Sequence, residues 1–276
     1  MDRVKRRRIL LVNDLPGYGT IALPAMIPIL NRMGYGTCHL PTALVSNTLG
    51  YGRFEILETT HYMERTIDLW EQLGFRFEAI STGFFASEKQ VQMIAGFCEK
   101  QRKNGVTVFV DPVMGDDGQL YNGVGKGMIT SMRQIIHAAD CITPNYTEAA
   151  YLAGMPCSPE ELSKADAEKM VALLAGMGAK SIVITSAIVE RQSCVIVYNG
   201  ESQAISYLPF EHIPDSFVGS GDAFSAIFAG SILQGKGVED SARFSMDMVK
   251  RFIEINRSCG DQMEGIPIER CLDEIR

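Results

Sequence analysis

Short, almost continuously apolar runs recur along the chain, and segments with helical apolar spacing separate them. This alternation limits the fold more than any other feature. Residues 8–12, 37–40, 78–82, 106–110, 141–143 and 181–185 are predicted strands. Their apolar character is unbroken rather than alternating, as in strands covered on both faces. Between them, Ser87 and Gln90 fit a capping box ahead of Val91, Ile94, Ala95 and Cys98. Met63, Ile67 and Trp70 form another stripe, and residues 164–178 read as a helix stopping at Gly178. Strand–helix alternation predicts an α/β fold: a single-domain, three-layer α/β/α arrangement around a mainly parallel central sheet.

Three segments add detail. Residues 20–33 look helical but contain Pro24 and Pro28, so the helix should kink or start late. Residues 194–198 and 203–208 flank Asn199-Gly200, a hairpin signal. Residues 221–234 are apolar almost all round, through Ala223, Phe224, Ala226, Ile227, Phe228, Ala229, Ile232 and Leu233. Such a helix belongs in a core.

Composition excludes several function classes. The 276 residues suit one domain over 1–276, with a basic tail at 1–7. The net charge of −7 disfavours nonspecific nucleic-acid binding and anionic membranes. Lys5-Arg6-Arg7-Arg8 reads as a solvated tail end rather than a targeting arm. The apolar run at 9–12 is too short for a secretory segment, and no run approaches the roughly 20 residues of a membrane span. Seven widely spaced cysteines without a CxxC pair, and four histidines without metal-ligand spacing, predict reduced thiols and a cytoplasmic location.

Chemistry concentrates at the ends of the predicted strands. Gly219-Ser220-Gly221-Asp222 opens the buried helix. Small residues there let a ligand approach the backbone, and first-turn N–H groups suit a phosphate. Asp222 is placed to accept a proton from a hydroxyl, or simply to stabilise the helix dipole. Asp111 follows one strand and Asn145-x-x-Glu148 another, so Asp111 and Glu148 are candidate Mg²⁺ ligands, directly or through water. Turn formation and helix capping are the bland alternatives for these residues. The turn Asn13-Asp14-Leu15-Pro16-Gly17-Tyr18-Gly19 follows the first strand. It is not GxGxxG, and no GxxxxGK[ST] loop occurs, so dinucleotide and P-loop fingerprints are absent.

In order, the chain offers Gly17-Tyr18-Gly19, Ser46-Asn47, Ser81-Thr82-Gly83-Phe84, Asp111-Pro112-Val113-Met114-Gly115, Thr143-Pro144-Asn145-x-x-Glu148 and Gly219-Ser220-Gly221-Asp222. As a set, over about residues 8–258, these resemble the pyridoxal/pyridoxamine kinase family of the ribokinase-like superfamily. The resemblance implies an ATP-dependent kinase with Mg²⁺, and a monovalent cation as a further candidate cofactor. By resemblance, Asp222 is the base for a substrate hydroxymethyl group, and the backbone of Gly219, Ser220 and Gly221 is the anion hole. Asp111, Asn145, Glu148, Thr185, Ser186 and Tyr121 would serve ATP, with adenine near residues 209–217. Asp14, Tyr18, Ser46, Asn47 and Phe84 would line the pocket for a B6 vitamer. Family members are typically homodimers. The chain departs from the usual pattern at Asp14, where Ser is frequent, at Thr48-Leu49, where His-Thr is frequent, and at Ser220. The competing readings are a hydroxymethylpyrimidine kinase, which shares fold and chemistry, a sugar or nucleoside kinase, and a non-catalytic vitamer-binding protein. The intact Asp222 argues against the last.

Overall fold

The structure is a computed structural model and describes residues 7–157, 162–211, 213, 217–258 and 260–275. Arg8–Pro16 (β1) leads into Ala22–Arg32 (α1), Gly36–Val45 (β2), Ile56–Glu58 (β3) and Thr60–Gln72 (α2). Next come Ala79–Thr82 (β4), Glu88–Arg102 (α3), Thr107–Val110 (β5) and the short hairpin Gly115–Asp116 (β6) with Gln119–Leu120 (β7). Gly127–His137 (α4), Cys141–Ile142 (β8), Tyr146–Ala153 (α5) and Lys164–Gly176 (α6) follow. Ser181–Val189 (β9), Gln192–Asn199 (β10), Ala204–Pro209 (β11), Ser220–Leu233 (α7) and Val238–Asn256 (α8) complete the main elements, with short 3₁₀ turns after them.

Nine strands form one sheet in the order β11-β10-β9-β8-β5-β4-β1-β2-β3. The six from β9 to β2 run parallel, and at the margins β10 pairs antiparallel with β9, β11 antiparallel with β10, and β3 antiparallel with β2. The unbroken apolar runs now have their explanation. In β1, Leu10 and Val12 enter the core beneath α2–α6, while Ile9 and Leu11 enter the opposite core beneath α1, α7 and α8. β5 and β9 divide in the same way, with Val108 and Val110 against Phe109, and Ile182 and Ile184 against Val183. The result is the expected three-layer α/β/α arrangement. Among the described residues, no helix is long and apolar enough to cross a membrane.

Local expectations fare unevenly. The helix expected within 20–33 starts late, at Ala22, so Pro24 falls in its first turn, where an N–H has no intrahelical acceptor, and Pro28 lies inside it. The capping box expected at Ser87 does not form. The Ser87 hydroxyl donates to Glu58 Oε1 (2.6 Å), and Gln90 accepts from Ala86 N–H (2.9 Å) and donates to the Thr42 carbonyl (2.7 Å). The Asn199-Gly200 hairpin exists, but Asn199 pairs with Ala204, so residues 200–203 form a four-residue loop. Residues 1–6 of the expected tail lie outside the described residues. Arg7 is anchored: Nε donates to Glu78 (2.8 Å) and Nη2 to the Leu233 carbonyl (2.6 Å), and the guanidinium covers the Tyr35 ring. Arg8 opens β1.

Candidate active site

The sheet order reverses between β1 and β4: β2 lies on one side of β1, and β4 and β5 lie on the other. Ligands of open α/β sheets bind at such a switch point, beyond the strand C-termini. Asn13, near the C-terminal end of β1, is buried there and ties the two strands together. Its Oδ1 accepts the N–H groups of Asp14 (3.0 Å) and Phe84 (2.8 Å), and its Nδ2 donates to Asp222 Oδ1 (3.1 Å).

Asp222 arrives from the first turn of α7. Gly219 caps that helix at φ +81°, and a Cβ there would meet Ile21 Cγ2 at 2.6 Å, so glycine is required on both counts. The Ser220 N–H turns back weakly to the Phe217 carbonyl (3.4 Å), and the Ala223 N–H bonds Gly219 (3.1 Å). The Gly221 and Asp222 N–H groups belong to the turn that no earlier carbonyl of the helix can satisfy, and Gly221 is exposed. The second Asp222 oxygen accepts the N–H of Ala22 at 2.9 Å. Ala22 holds φ +50°, a left-handed conformation that costs a non-glycine residue roughly 1–3 kcal/mol. That strained residue aims a donor at the carboxylate.

Two more acids join Asp14 and Asp222 at the crevice. Asp111, after β5, accepts the Ser225 hydroxyl (2.7 Å), which in turn pairs with Thr143 Oγ1 (3.0 Å). Glu148 lies in the first turn of α5 and completes a capping box with Asn145. Its Oε2 accepts the Asn145 N–H (2.9 Å), Asn145 Oδ1 accepts the Glu148 N–H (2.9 Å), and Glu148 Oε1 accepts the Met114 N–H (2.9 Å). Asn145 Nδ2 also donates to the Gly115 carbonyl (2.8 Å), locking the β6–β7 hairpin to α5.

Burial shifts all four acids upward, and a neighbouring acid adds to the rise at Asp14, Asp111 and Glu148. Burial, with the charge of Asp222 beside it, pushes the Asp14 carboxyl up to about 7. Burial pushes Asp111 to about 8, against the Ser225 hydrogen bond, and Asp222 adds to the rise. Glu148 is raised by burial and by Asp111, opposed by the N–H groups of Asn145, Met114 and Gly115. Asp222 is raised by burial, opposed by the donors from Ala22 and Asn13. The Tyr121 phenol is also raised, by burial and then by the charges of Glu148, Asp116, Asp111 and Asp222.

Among the described residues, no group of three or more His, Cys, Asp or Glu side chains is arranged to enclose a metal. The donor set still fits Mg²⁺. Asp111 and Glu148 are hard oxygen donors whose repulsion a cation relieves, and Mg²⁺ commonly binds through one or two carboxylates while keeping water and phosphate ligands.

The remaining expected residues divide into four groups. Phe84 is half-buried, packs in neither core, and sits beside Asp14 through Asn13, whereas its neighbour Phe85 is a core residue. Thr185 is bridged to Asn145, and Ser186 follows at φ +57°, where β9 and β10 change register. Ser46 and Asn47 line an open cleft of about 530 Å³ with Gly52, Arg53, Phe54 and Glu55. Tyr18 is exposed, donates to Glu264, and leans on Tyr51. In the expected adenine segment, residues 212 and 214–216 lie outside the described residues. Sequence reasoning missed Asn13 and Ser225 as site residues. A polar residue ending an apolar strand, and a serine one turn beyond Asp222 on an otherwise apolar helix, were the available signals.

The profile of the phosphomethylpyrimidine kinase family matches residues 29–266, well over half of the chain. The chain belongs to that family. As a family member it is a kinase, with the fold that the motif set implied. A Bacteroides thetaiotaomicron protein provisionally named phosphomethylpyrimidine kinase, solved with pyridoxal, is 32% identical, with a TM-score of 0.92 and coverage of 98% of this chain and 96% of that one. The pyridoxal kinase of Lactobacillus plantarum is 28% identical, with a TM-score of 0.88 and coverage of 98% and 96%. The pyridoxal kinase PdxY of Rubrobacter xylanophilus is 29% identical over 258 residues, 89% of this chain and 86% of the relative.

Proposed function

We propose that the protein transfers the γ-phosphoryl group of ATP to the 5′-hydroxymethyl group of pyridoxal, pyridoxine or pyridoxamine. Asp222 takes the hydroxyl proton, the freed oxygen attacks the γ-phosphorus, and ADP leaves. The observation that carries the chemistry is the Asp222 carboxylate, held by Asn13 Nδ2 and Ala22 N–H beside the open first turn of α7. Positioning and charge stabilisation dominate phosphoryl transfer, and first-turn N–H groups at Gly219–Gly221 meet that need. Asp111 and Glu148 would hold Mg²⁺, largely through water, and Mg²⁺ when bound offsets charge on the phosphates. Asn145, Thr185, Ser186 and Tyr121 are proposed for the nucleotide side. Asp14, Phe84, Ser46, Asn47 and Tyr18 are proposed for the vitamer side, with the Phe84 ring face suited to a flat heterocycle.

The substrate reading draws on relatives named pyridoxal kinases and on the pyridoxal-bound relative. The family profile's own description favours a second reading, phosphorylation of a hydroxymethylpyrimidine or of its phosphate. ATP consumption with Mg²⁺, offered the three vitamers and hydroxymethylpyrimidine in parallel, separates the two. Turnover confined to the pyrimidine would overturn the vitamer assignment and keep the mechanism. We further propose one kinase domain over 1–276 acting in the cytoplasm as a homodimer, consistent with the exposed Leu44, Ile56 and Leu57 along the β2–β3 edge.

The base assignment has its own test. Asp222→Ala is expected to fold and bind ATP with kcat lowered roughly 10²–10⁴-fold. Near-normal turnover by the folded variant would rule out Asp222 as the base.

A further inference from the structure

The stretch 261–265 lies beyond the motifs that carry the resemblance, yet its three successive carbonyls reach three different loops of the site. The Gln262 carbonyl accepts the Val218 N–H (3.3 Å), the Met263 carbonyl accepts the Thr48 hydroxyl (3.3 Å), and the Glu264 carbonyl accepts the Thr20 N–H (2.6 Å). Side chains add to this. Tyr51 donates to Asp261 Oδ2 (2.6 Å), Tyr18 donates to the Glu264 carboxylate, and Met263 Cε lies beside Gly50. Asp261 Oδ1 fixes the turn itself by accepting the Met263 N–H (2.9 Å). Downstream, Ile266, Ile268, Cys271 and Ile275 are buried in the core with α1, α7 and α8, so the stretch is anchored behind.

Each gripped loop carries a working group. Val218 directly precedes Gly219-Ser220-Gly221-Asp222. Thr48 follows Ser46 and Asn47. Thr20 stands two residues before Ala22, whose N–H rests on Asp222 Oδ2. We infer that residues 261–265 are a positioning element of the active site, setting the vitamer-side loops against the turn that presents Asp222. The inference rests on the reading of Asp222 as the base.

Two variants test it, because backbone carbonyls cannot be mutated directly. Thr48→Val removes only the Thr48–Met263 bond and keeps the side-chain shape. Gly265→Ala acts on the stretch itself: Gly265 holds φ +86°, and a Cβ there would meet the Thr20 carbonyl oxygen at 2.5 Å. The stretch must then leave Thr20, and the Ala22 donor is expected to leave Asp222. Asp14, Asp111 and Tyr121 lie within electrostatic reach of Asp222, whose carboxyl is raised by burial and held down by the Ala22 and Asn13 donors, so losing the Ala22 donor leaves burial opposed by Asn13 alone.

For Thr48→Val, KM for pyridoxal is expected to rise about 2–10-fold, the effect of one hydrogen bond, with kcat and KM for ATP nearly unchanged. For Gly265→Ala, kcat is expected to fall about tenfold or more, and the acid limb of the kcat/KM–pH profile to move to higher pH. Met132→Ala, a cavity in the opposite core, should lower Tm without moving that limb. A folded Gly265→Ala with wild-type kcat and an unmoved limb would overturn the inference. If Gly265→Ala does not fold, Thr48→Val and Tyr51→Phe decide: unchanged KM for pyridoxal in both overturns it. Asp222→Ala measured alongside keeps the two questions apart, since its activity judges the base and the Thr48→Val KM judges the positioning element.

Discussion

Asn13 is the residue on which most of the site turns, although Asp222 is the one the motifs advertise. Its single amide orients Asp14 and Phe84 through Oδ1 and Asp222 through Nδ2. Hydrogen bonds to charged groups contribute about 1.5–3 kcal/mol, so Asn13→Ala is expected to lower kcat/KM about 10–100-fold. The Asn13 bond also holds the Asp222 pKa down against burial. Its loss should therefore raise that pKa, moving the acid limb of the rate profile to higher pH. A folded variant with an unmoved limb would mean that Asn13 acts only on Asp14 and Phe84. The acids were legible in the sequence because each ends a strand or opens a helix. Asn13 and Ser225 were not assigned roles because each works through a partner roughly a hundred residues or more away, Asp222 and Asp111 respectively. Tertiary hydrogen bonds of that span leave no local pattern.

At the scale of elements, α5 shows capping and function in one device. The box at Asn145 and Glu148 spends both Glu148 oxygens on backbone N–H groups, yet leaves the carboxylate facing Asp111. Glu148→Gln can satisfy only one of those two donors and loses the charge. We expect the Mg²⁺ concentration for half-maximal activity to rise several-fold, with a stability loss of about 1–3 kcal/mol from the orphaned N–H. An unchanged Mg²⁺ requirement would remove Glu148 from the metal side. The same motif grammar misled at Ser87, because Glu58 and Thr42, distant in sequence, compete for its hydroxyl and for Gln90. The β9–β10 hairpin escaped notice for a different reason. Its turn is Glu190-Arg191, at φ +47° and +68°, where glycine or asparagine would have signalled the reversal. The parallel strands were legible because burial on both faces writes itself into every position. Turns that rely on strained ordinary residues do not.

The whole molecule carries the consequence of gathering four acids at one switch point. In the unfolded chain their pKa values return to about 4. In the folded protein Asp14 sits at about 7 and Asp111 at about 8, with Glu148 and Asp222 also raised. Between these limits the native state binds more protons than the unfolded state. Stability from these groups is therefore full below about pH 4 and is lost as pH rises toward 8. Mg²⁺ binds the ionised carboxylates of the native state and so offsets the loss by mass action. Without Mg²⁺, Tm is expected to fall between pH 6 and 8.5, and added Mg²⁺ should raise Tm more at pH 8.5 than at pH 6. Asp111→Asn removes a buried acid raised to about 8, so it should flatten the Mg²⁺-free slope and shrink the Mg²⁺ response together. Thermal unfolding of the two proteins at both pH values, with and without Mg²⁺, reads all of these. A wild-type Tm that stays level without Mg²⁺, or an Asp111→Asn variant that keeps the full slope, would mean that the crevice acids are ionised and well solvated in the native state. The burial that defines this site would then have no energetic consequence.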